Sequence, residues 1–334
     1  MARPRPFMAA LAMALALGGG ACADQARTDS ITHANLGVRA LATKSLDTAV
    51  TELKEAVRLY KENHAAWFHL GEAYRQKKVW PDAVAAYSQA VQLKPSDVMY
   101  QLRLGAAMYE EAVEKAREDE AAREQKKPEE VVPDLHNVNF DQPLQHLEAA
   151  IKGNAGLYNA HYYMGKIYLN QGKPQQAAEA FTKAITAYPR FQAPYIALVN
   201  LYRQWDYTEQ AIQVAAQGIE YVKGNEDLSE LYEAQGMAYF DKGDDSKAIE
   251  AFGKAIELDK DAFRSVFQRG MAYFRKGELK SADKDFDAYL KVAGPSQATF
   301  KAIAQKKRFE IMAKLAPPPT APPPSAPGGK AKRG

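Results

Sequence analysis

Residues 66–95 read AWFHLGEAYRQKKVWPDAVAAYSQAVQLKP, and this stretch decides the fold. Counted from His64, it sets Trp67, Leu70, Gly71 and Tyr74 at positions 4, 7, 8 and 11. Ala83, Tyr87, Ala90 and Pro95 follow at positions 20, 24, 27 and 32. The spacing is that of two short helices, A and B, joined by a turn. Small residues (Gly71, Ala83, Ala90) stand where the helices touch, so the backbones approach closely. Large ones (Trp67, Leu70, Tyr74, Tyr87) fill the space around them. One such pair cannot cover its own apolar faces, so it needs neighbours.

Steps of 34 from His64 recover the rest of the chain. The repeats run 30–63, 64–97, 98–157, 158–191, 192–225, 229–262 and 263–296, with 226–228 as a spacer. Glycine holds position 8 in six of the seven, Val199 being the exception, and alanine holds position 20 in six, Pro143 being the exception. Gly172, Gly243 and Gly277 fall at position 15, where helix A stops and a glycine can take the left-handed conformation. This register resembles the tetratricopeptide repeat. The resemblance implies an all-α fold, a right-handed α-α superhelix of seven helix pairs. Gly294-Pro295 breaks the pattern, and Ser296 is a candidate N-cap for a capping helix over 297–315. Its apolar face is Phe300, Ile303, Ala304, Ile311 and Leu315, with Lys301, Lys306, Arg308 and Lys314 left wet. Residues 316–334, APPPTAPPPSAPGGKAKRG, have nothing to bury and read as a disordered, partly polyproline tail.

Repeat three is longer than its neighbours. From Gly105 to Ala150 there are 45 residues where other repeats have 19, an insertion of 26. Residues 110–127 are rich in helix formers, with Glu111/Lys115 and Asp119/Arg123 as i,i+4 pairs. Helix A is expected to run from Val98 to Lys127, about 45 Å, with its end projecting past the stack. Val138 and Phe140 are placed to pin the following loop back.

Hydrophobic residues make up 46% of 334 and charged ones 25%, which suits a folded protein. The net charge of +3 misleads. Setting aside Arg3, Arg5, Lys330, Lys332 and Arg333 leaves 39 basic residues against 41 acidic, a net of −2. That gives no broad basic face for nucleic acid. Arg3 and Arg5, an apolar run over 7–17 and the small residues 18–21 read as a signal peptide over 1–21. Its end resembles a bacterial lipobox, which implies acylation of Cys22, the only cysteine, and a tether over 22–29. Gly19 departs from the usual leucine. Cleavage after Ala21-Cys22-Ala23 is the competing reading. By the same resemblance, Ala23 in place of Asp points to the outer membrane, periplasmic face.

The six histidines (His33, His64, His69, His136, His146, His161) have no metal-ligand spacing, and no nucleotide or nucleophile motif is present. His33 and His161 stand in the slot of Trp67 and read as packing residues. No cofactor and no small-molecule substrate is implied. The resemblance places a peptide-binding groove on helix A positions 2, 5, 9, 12 and 13. Phe68, Glu72 and Arg75 are candidates in repeat two. Tyr162, Lys166, Asn170, Asn200, Arg203 and Gln204 are candidates in the middle. Glu233, Met237, Phe240, Phe267, Met271 and Phe274 are candidates at the C-terminal end. The family's carboxylate clamp, Lys at position 5 with Asn at position 9, is absent. The expectation is a non-enzymatic scaffold holding partner segments, similar to lipoprotein pilotins that help assemble pilus secretins. A soluble periplasmic adaptor and an accessory subunit of an envelope enzyme are the alternatives.

Overall fold

The alternation of small and large side chains sets where each helix starts, stops and packs. The computed structural model describes the backbone of residues 7–294 and 297–316, with side chains from residue 23 onward. The leader's first residues, the Cys22 side chain, Ser296 and the tail from 317 lie outside the described residues. Among those described there are helices and turns and no strand.

The chain divides into two compact units, Met1–Trp205 with Glu220–Val222, and Asp206–Ile219 with Lys223–Gly334. The first holds α1 (Phe7–Ala42), α2 (Leu46–Leu59), α3 (His64–Gln76), α4 (Trp80–Leu93) and α5 (Val98–Glu124). It continues with α6 (Asp141–Gly153), α7 (Tyr158–Asn170), α8 (Pro174–Ala187) and α9 (Gln192–Gln204). The second holds most of α10 (Thr208–Tyr221), then α11 (Asn225–Lys242), α12 (Asp245–Leu258), α13 (Phe263–Lys276), α14 (Leu279–Val292) and α15 (Ala298–Leu315).

Three recurring devices hold the helix pairs. The first is at position 8. A Cβ added to Gly37, Gly71, Gly105, Gly165, Gly236 or Gly270 would stand 2.5 to 3.0 Å from a side-chain carbon of the same repeat's helix B, at Leu53, Tyr87, Leu147, Phe181, Phe252 and Phe286 respectively. All six of those partners are fully buried. The glycines exist to admit those rings and branches. Repeat five carries the reverse pair, Val199 at position 8 and Ala215 at position 24, both buried.

The second device is the turn at position 15. Gly172, Gly243 and Gly277 have φ of +67°, +86° and +85°, as expected. Lys44, Lys78 and Asp206 occupy the same position in repeats one, two and five, with φ of 58°, 58° and 59°. The geometry of the helix A to helix B turn therefore imposes the left-handed conformation whether or not glycine is there to ease it.

The third joins one repeat to the next. The side chain at position 4 bonds the backbone carbonyl six residues before it. Trp67 Nε1 donates to Lys61 O at 2.8 Å, Gln101 Nε2 to Pro95 O at 2.8 Å and Tyr195 Oη to Pro189 O at 3.0 Å. His161 Nε2 lies 2.9 Å from Ala155 O. Four different residue types thus satisfy the same carbonyl, one left free where helix B has ended. His161 is accordingly a packing residue. His33 instead meets Glu52 at 2.7 Å.

Several expectations are corrected. α5 ends at Glu124, with Gln125 left-handed at φ 53°, so it is 27 residues long, about 40 Å. It is not a free spike. The 3-10 turn Pro128–Glu130 packs back on it, Ala121 and Val131 are buried, and Phe140 stacks on Tyr109 at 5.3 Å. Val138 belongs to the same cluster, so both pinning residues act as expected. Arg123 pairs with Glu120 at 2.6 Å rather than with Asp119. The tether 22–29 lies within α1, where Gln25 donates to Asp29 at 2.8 Å one turn on, and the spacer 226–228 forms the first turn of α11. Arg308 of α15 is not wet: it donates to Asp283 and Asp287 of α14 at 2.8 and 2.7 Å.

Candidate interaction groove

The first unit opens a groove across the A helices of its first three repeats. Val38 and Leu41 of α1, Phe68 of α3 and Met99 of α5 supply its apolar lining, in an open pocket of about 440 Å³. Val38 is 36% exposed and Met99 38%, so the apolar surface is accessible. Phe68 is half-buried, stacked on Tyr100 at 4.8 Å.

Glu72 anchors the polar side. Its Oε2 accepts from Arg75 Nη2 at 2.8 Å, its Oε1 lies 2.8 Å from Arg103 Nε, and the buried Tyr87 hydroxyl donates to Oε1 at 2.6 Å. Burial alone would raise the Glu72 carboxyl, but Arg103, the Tyr87 hydroxyl and Arg75 outweigh it and hold it below its ordinary value. Burial, with Glu72 beside it, pushes the Tyr87 hydroxyl far up, so Tyr87 stays a donor. Two guanidinium groups share one carboxylate, a cluster of net single positive charge from which Glu72 and Arg103 line the groove. His69, also on the wall, is held below its ordinary value by burial and stays neutral near pH 7.

The other expected groove residues are placed differently. Lys166 is engaged inside the first unit. Its Nζ bonds Glu110 Oε1 at 3.1 Å and lies 4.4, 5.1 and 5.7 Å from the ring centres of Tyr109, Tyr163 and Tyr162. Asn170 Nδ2 donates to the Tyr109 hydroxyl at 3.0 Å, a phenol that burial pushes up to about 12. Lys166 and Asn170 thus tie α7 to α5, while Tyr162 packs on Phe181 of α8 and on Phe191 at 5.9 and 5.1 Å. Asn200 and Gln204 of α9 are exposed, and Asn200 accepts from Arg203 Nη1 at 3.3 Å.

The aromatic end in the second unit is closed. The Arg275 guanidinium sits 3.6 Å above the Phe240 ring and donates to Phe240 O at 2.6 Å. Phe274 has Lys307 and Lys314 of α15 at 4.3 and 4.8 Å from its centre. Phe267 is a core residue, 4% exposed, against Tyr289 and Phe300. It is withdrawn as a groove residue, because α15 lies over it. Met237 and Met271 are half-buried beside their helix pairs, and Glu233 accepts from Ser265 at 2.8 Å.

The sequence reading missed Val38, Leu41, Met99 and Arg103. Val38 and Leu41 stand at positions 9 and 12 and Met99 at position 2, so the positional rule could have found them. Arg103, at position 6, carried no such signal. A second open groove, about 570 Å³, lies where the insertion meets α4 and α6, lined by Val84, Met108, Lys115 and Gln142. Among the described residues no cluster of His, Cys, Asp and Glu could hold a metal ion, and no helix is long and apolar enough to cross a membrane.

Comparison with known proteins agrees with this geometry. Family models described as tetratricopeptide or TPR repeats match residues 35–98, 158–191 and 236–277. A curated relative, the TPR repeat-containing protein MJ1428 of Methanocaldococcus jannaschii, is 23% identical over 277 residues, 80% of this chain. The match spans only 44% of that relative's length. A solved tetratricopeptide repeat protein from Parabacteroides merdae superposes with a TM-score of 0.54 at 14% identity, covering 85% of this chain and 99% of its own. With repeat models matched in both compact units and the same helix pairs seen in each, the units share the all-α fold of tetratricopeptide-type helix pairs.

Proposed function

We propose that this protein is a non-enzymatic interaction scaffold, and that its working surface is the groove over α1, α3 and α5. The observation that carries this is the accessible Val38–Leu41–Phe68–Met99 lining beside Glu72 and Arg103, which with Arg75 form a cluster of net positive charge. An apolar lining fixes the side chains of a partner segment, and Arg75 and Arg103 add a preference for a carboxylate on it. The occupant is therefore an amphipathic protein segment with at least one acidic residue. Because Val38 and Met99 are accessible at the surface, Val38→Glu/Met99→Glu can be made without opening the core. Crosslinked capture of a partner by the wild type and its loss in this variant is the expected result. Undiminished capture would assign binding elsewhere.

The cellular setting is proposed from the leader. Arg3, Arg5, the apolar run and Cys22 support a lipid-anchored protein on the periplasmic face of the outer membrane, assisting assembly of an envelope machine. Cys22→Ala should then make the protein extractable from the membrane fraction by high salt, which the acylated wild type resists. A mature form beginning at Asp24, measured by intact mass, would instead establish a soluble adaptor.

A further inference from the structure

Among the described residues, α15 leaves the second unit with one side unpartnered. Its inner side is well engaged: Ala304 and Ile311 are buried, Arg308 bonds α14, and Lys307 and Lys314 lie over Phe274. Elsewhere in this unit α11 is covered by α12 and α13 by α14, each the helix that follows it in sequence.

The outer side is both apolar and cationic. Phe309 is 73% exposed and Met312 57%, with the exposed alanines Ala302 and Ala313 beside them. Lys301 and Lys306 flank this strip on the helix surface. The only acid on α15, Glu310, is taken by Lys307 at 2.9 Å. Asp283 and Asp287 of α14 face Arg308, and Asp287 also meets Lys291. A second copy of the same face would set lysines against lysines with no acid between them. The strip also stands out from the helix rather than forming a groove, so it suits a flat partner more than an extended peptide.

We propose that α15 is a membrane-surface element. It lies flat on anionic lipid, with Phe309 and Met312 inserted at the acyl boundary and Lys301 and Lys306 at the level of the phosphates. This contact needs neither the groove nor an acyl chain on Cys22.

The test uses the full chain with Cys22→Ala, so that no acyl anchor forms, sedimented with vesicles of phosphatidylcholine alone or mixed with phosphatidylglycerol. Preferential binding to the anionic vesicles, weakened by salt, is expected. Each lysine contributes about fivefold at an anionic surface, so Lys301→Gln/Lys306→Gln should bind about 30-fold more weakly. Phe309→Ser/Met312→Ser should lose binding with an unchanged circular dichroism spectrum. The apolar run over 7–17 is common to all forms and does not distinguish the two vesicle types. Equal binding by all variants, or equal binding to both vesicles, overturns the proposal. A wild-type dimer that Phe309→Ser/Met312→Ser dissolves would assign the strip to a second copy and overturn it as well. Loss of the lipid contact would leave partner capture through Val38 and Met99 intact, so the two readings fail separately.

Discussion

The packing of Gly71 against Tyr87 yields a quantitative prediction. A Cβ on residue 71 would lie 2.5 Å from both Cδ1 and Cε1 of the ring, about 1 Å inside ordinary contact. The ring has no slack. It is fully buried, lies against Phe68 at 5.7 Å, and its hydroxyl is held by Glu72, itself fixed by two arginines. Overpacking of this kind costs about 1–3 kcal/mol. Parting Tyr87 from Glu72 adds about 1–3 kcal/mol if the hydroxyl is left unsatisfied. Replacing a mid-helix glycine by alanine returns about 1 kcal/mol. Gly71→Ala should therefore destabilise by about 3 kcal/mol. Tyr87→Ala alone should cost about 3–5 kcal/mol, as for other large buried aromatics. In that background the clash is gone, and Gly71→Ala should be neutral or stabilising by up to about 1 kcal/mol. Urea unfolding followed by far-ultraviolet circular dichroism measures all four corners of this cycle. A coupling of about 3–4 kcal/mol is expected; additivity to within about 0.5 kcal/mol would refute the size-exchange account.

Other consequences are smaller. Lys78 and Gly172 share a left-handed turn position, so Lys78→Gly should stabilise by up to about 1 kcal/mol and Gly172→Ala should destabilise by about 1–2 kcal/mol, read from the same urea curves. Tyr195→Phe removes the donor to Pro189 O and should cost about 1 kcal/mol, more if the carbonyl stays dry. His69 is held below its ordinary 6.5 by burial, so its folded form favours the neutral ring. That contribution is complete above the unfolded value and is lost as pH falls through 6.5 toward the folded one. Thermal midpoints should drop over that interval, and His69→Gln should flatten the drop. A wild-type midpoint constant down to the carboxylate range would contradict the assignment.

The helix pairs were legible because glycine spacing records close backbone approach, and Gly37, Gly71 and Gly165 keep it without drift. Left-handed turns were legible only where glycine marks them. Lys44, Lys78 and Asp206 adopt the same conformation with nothing in their chemistry to announce it. The candidate groove was harder to read, since exposure at a given position depends on what the next helix lays over it. Phe240 and Phe274 fit the groove pattern, yet cations about one repeat later, Arg275 and Lys307, cover their rings. Met99 and Val38 looked ordinary but stay open, because their neighbours leave them uncovered. Lys166, a polar residue that packing did not seem to need, is claimed by three tyrosines and Glu110, Tyr109 and Glu110 themselves standing at groove positions 12 and 13 of repeat three, so two groove positions satisfy each other.

The central claim is that partner segments lie along α1, α3 and α5. A photo-crosslinking residue placed at Val38 or Met99, with Gln217 on the exposed side of α10 as the control, tests it most directly in cells. Adducts with a protein partner at both groove positions and none at Gln217 are the predicted result. Adducts at Gln217 with none at Val38 and Met99 would contradict it.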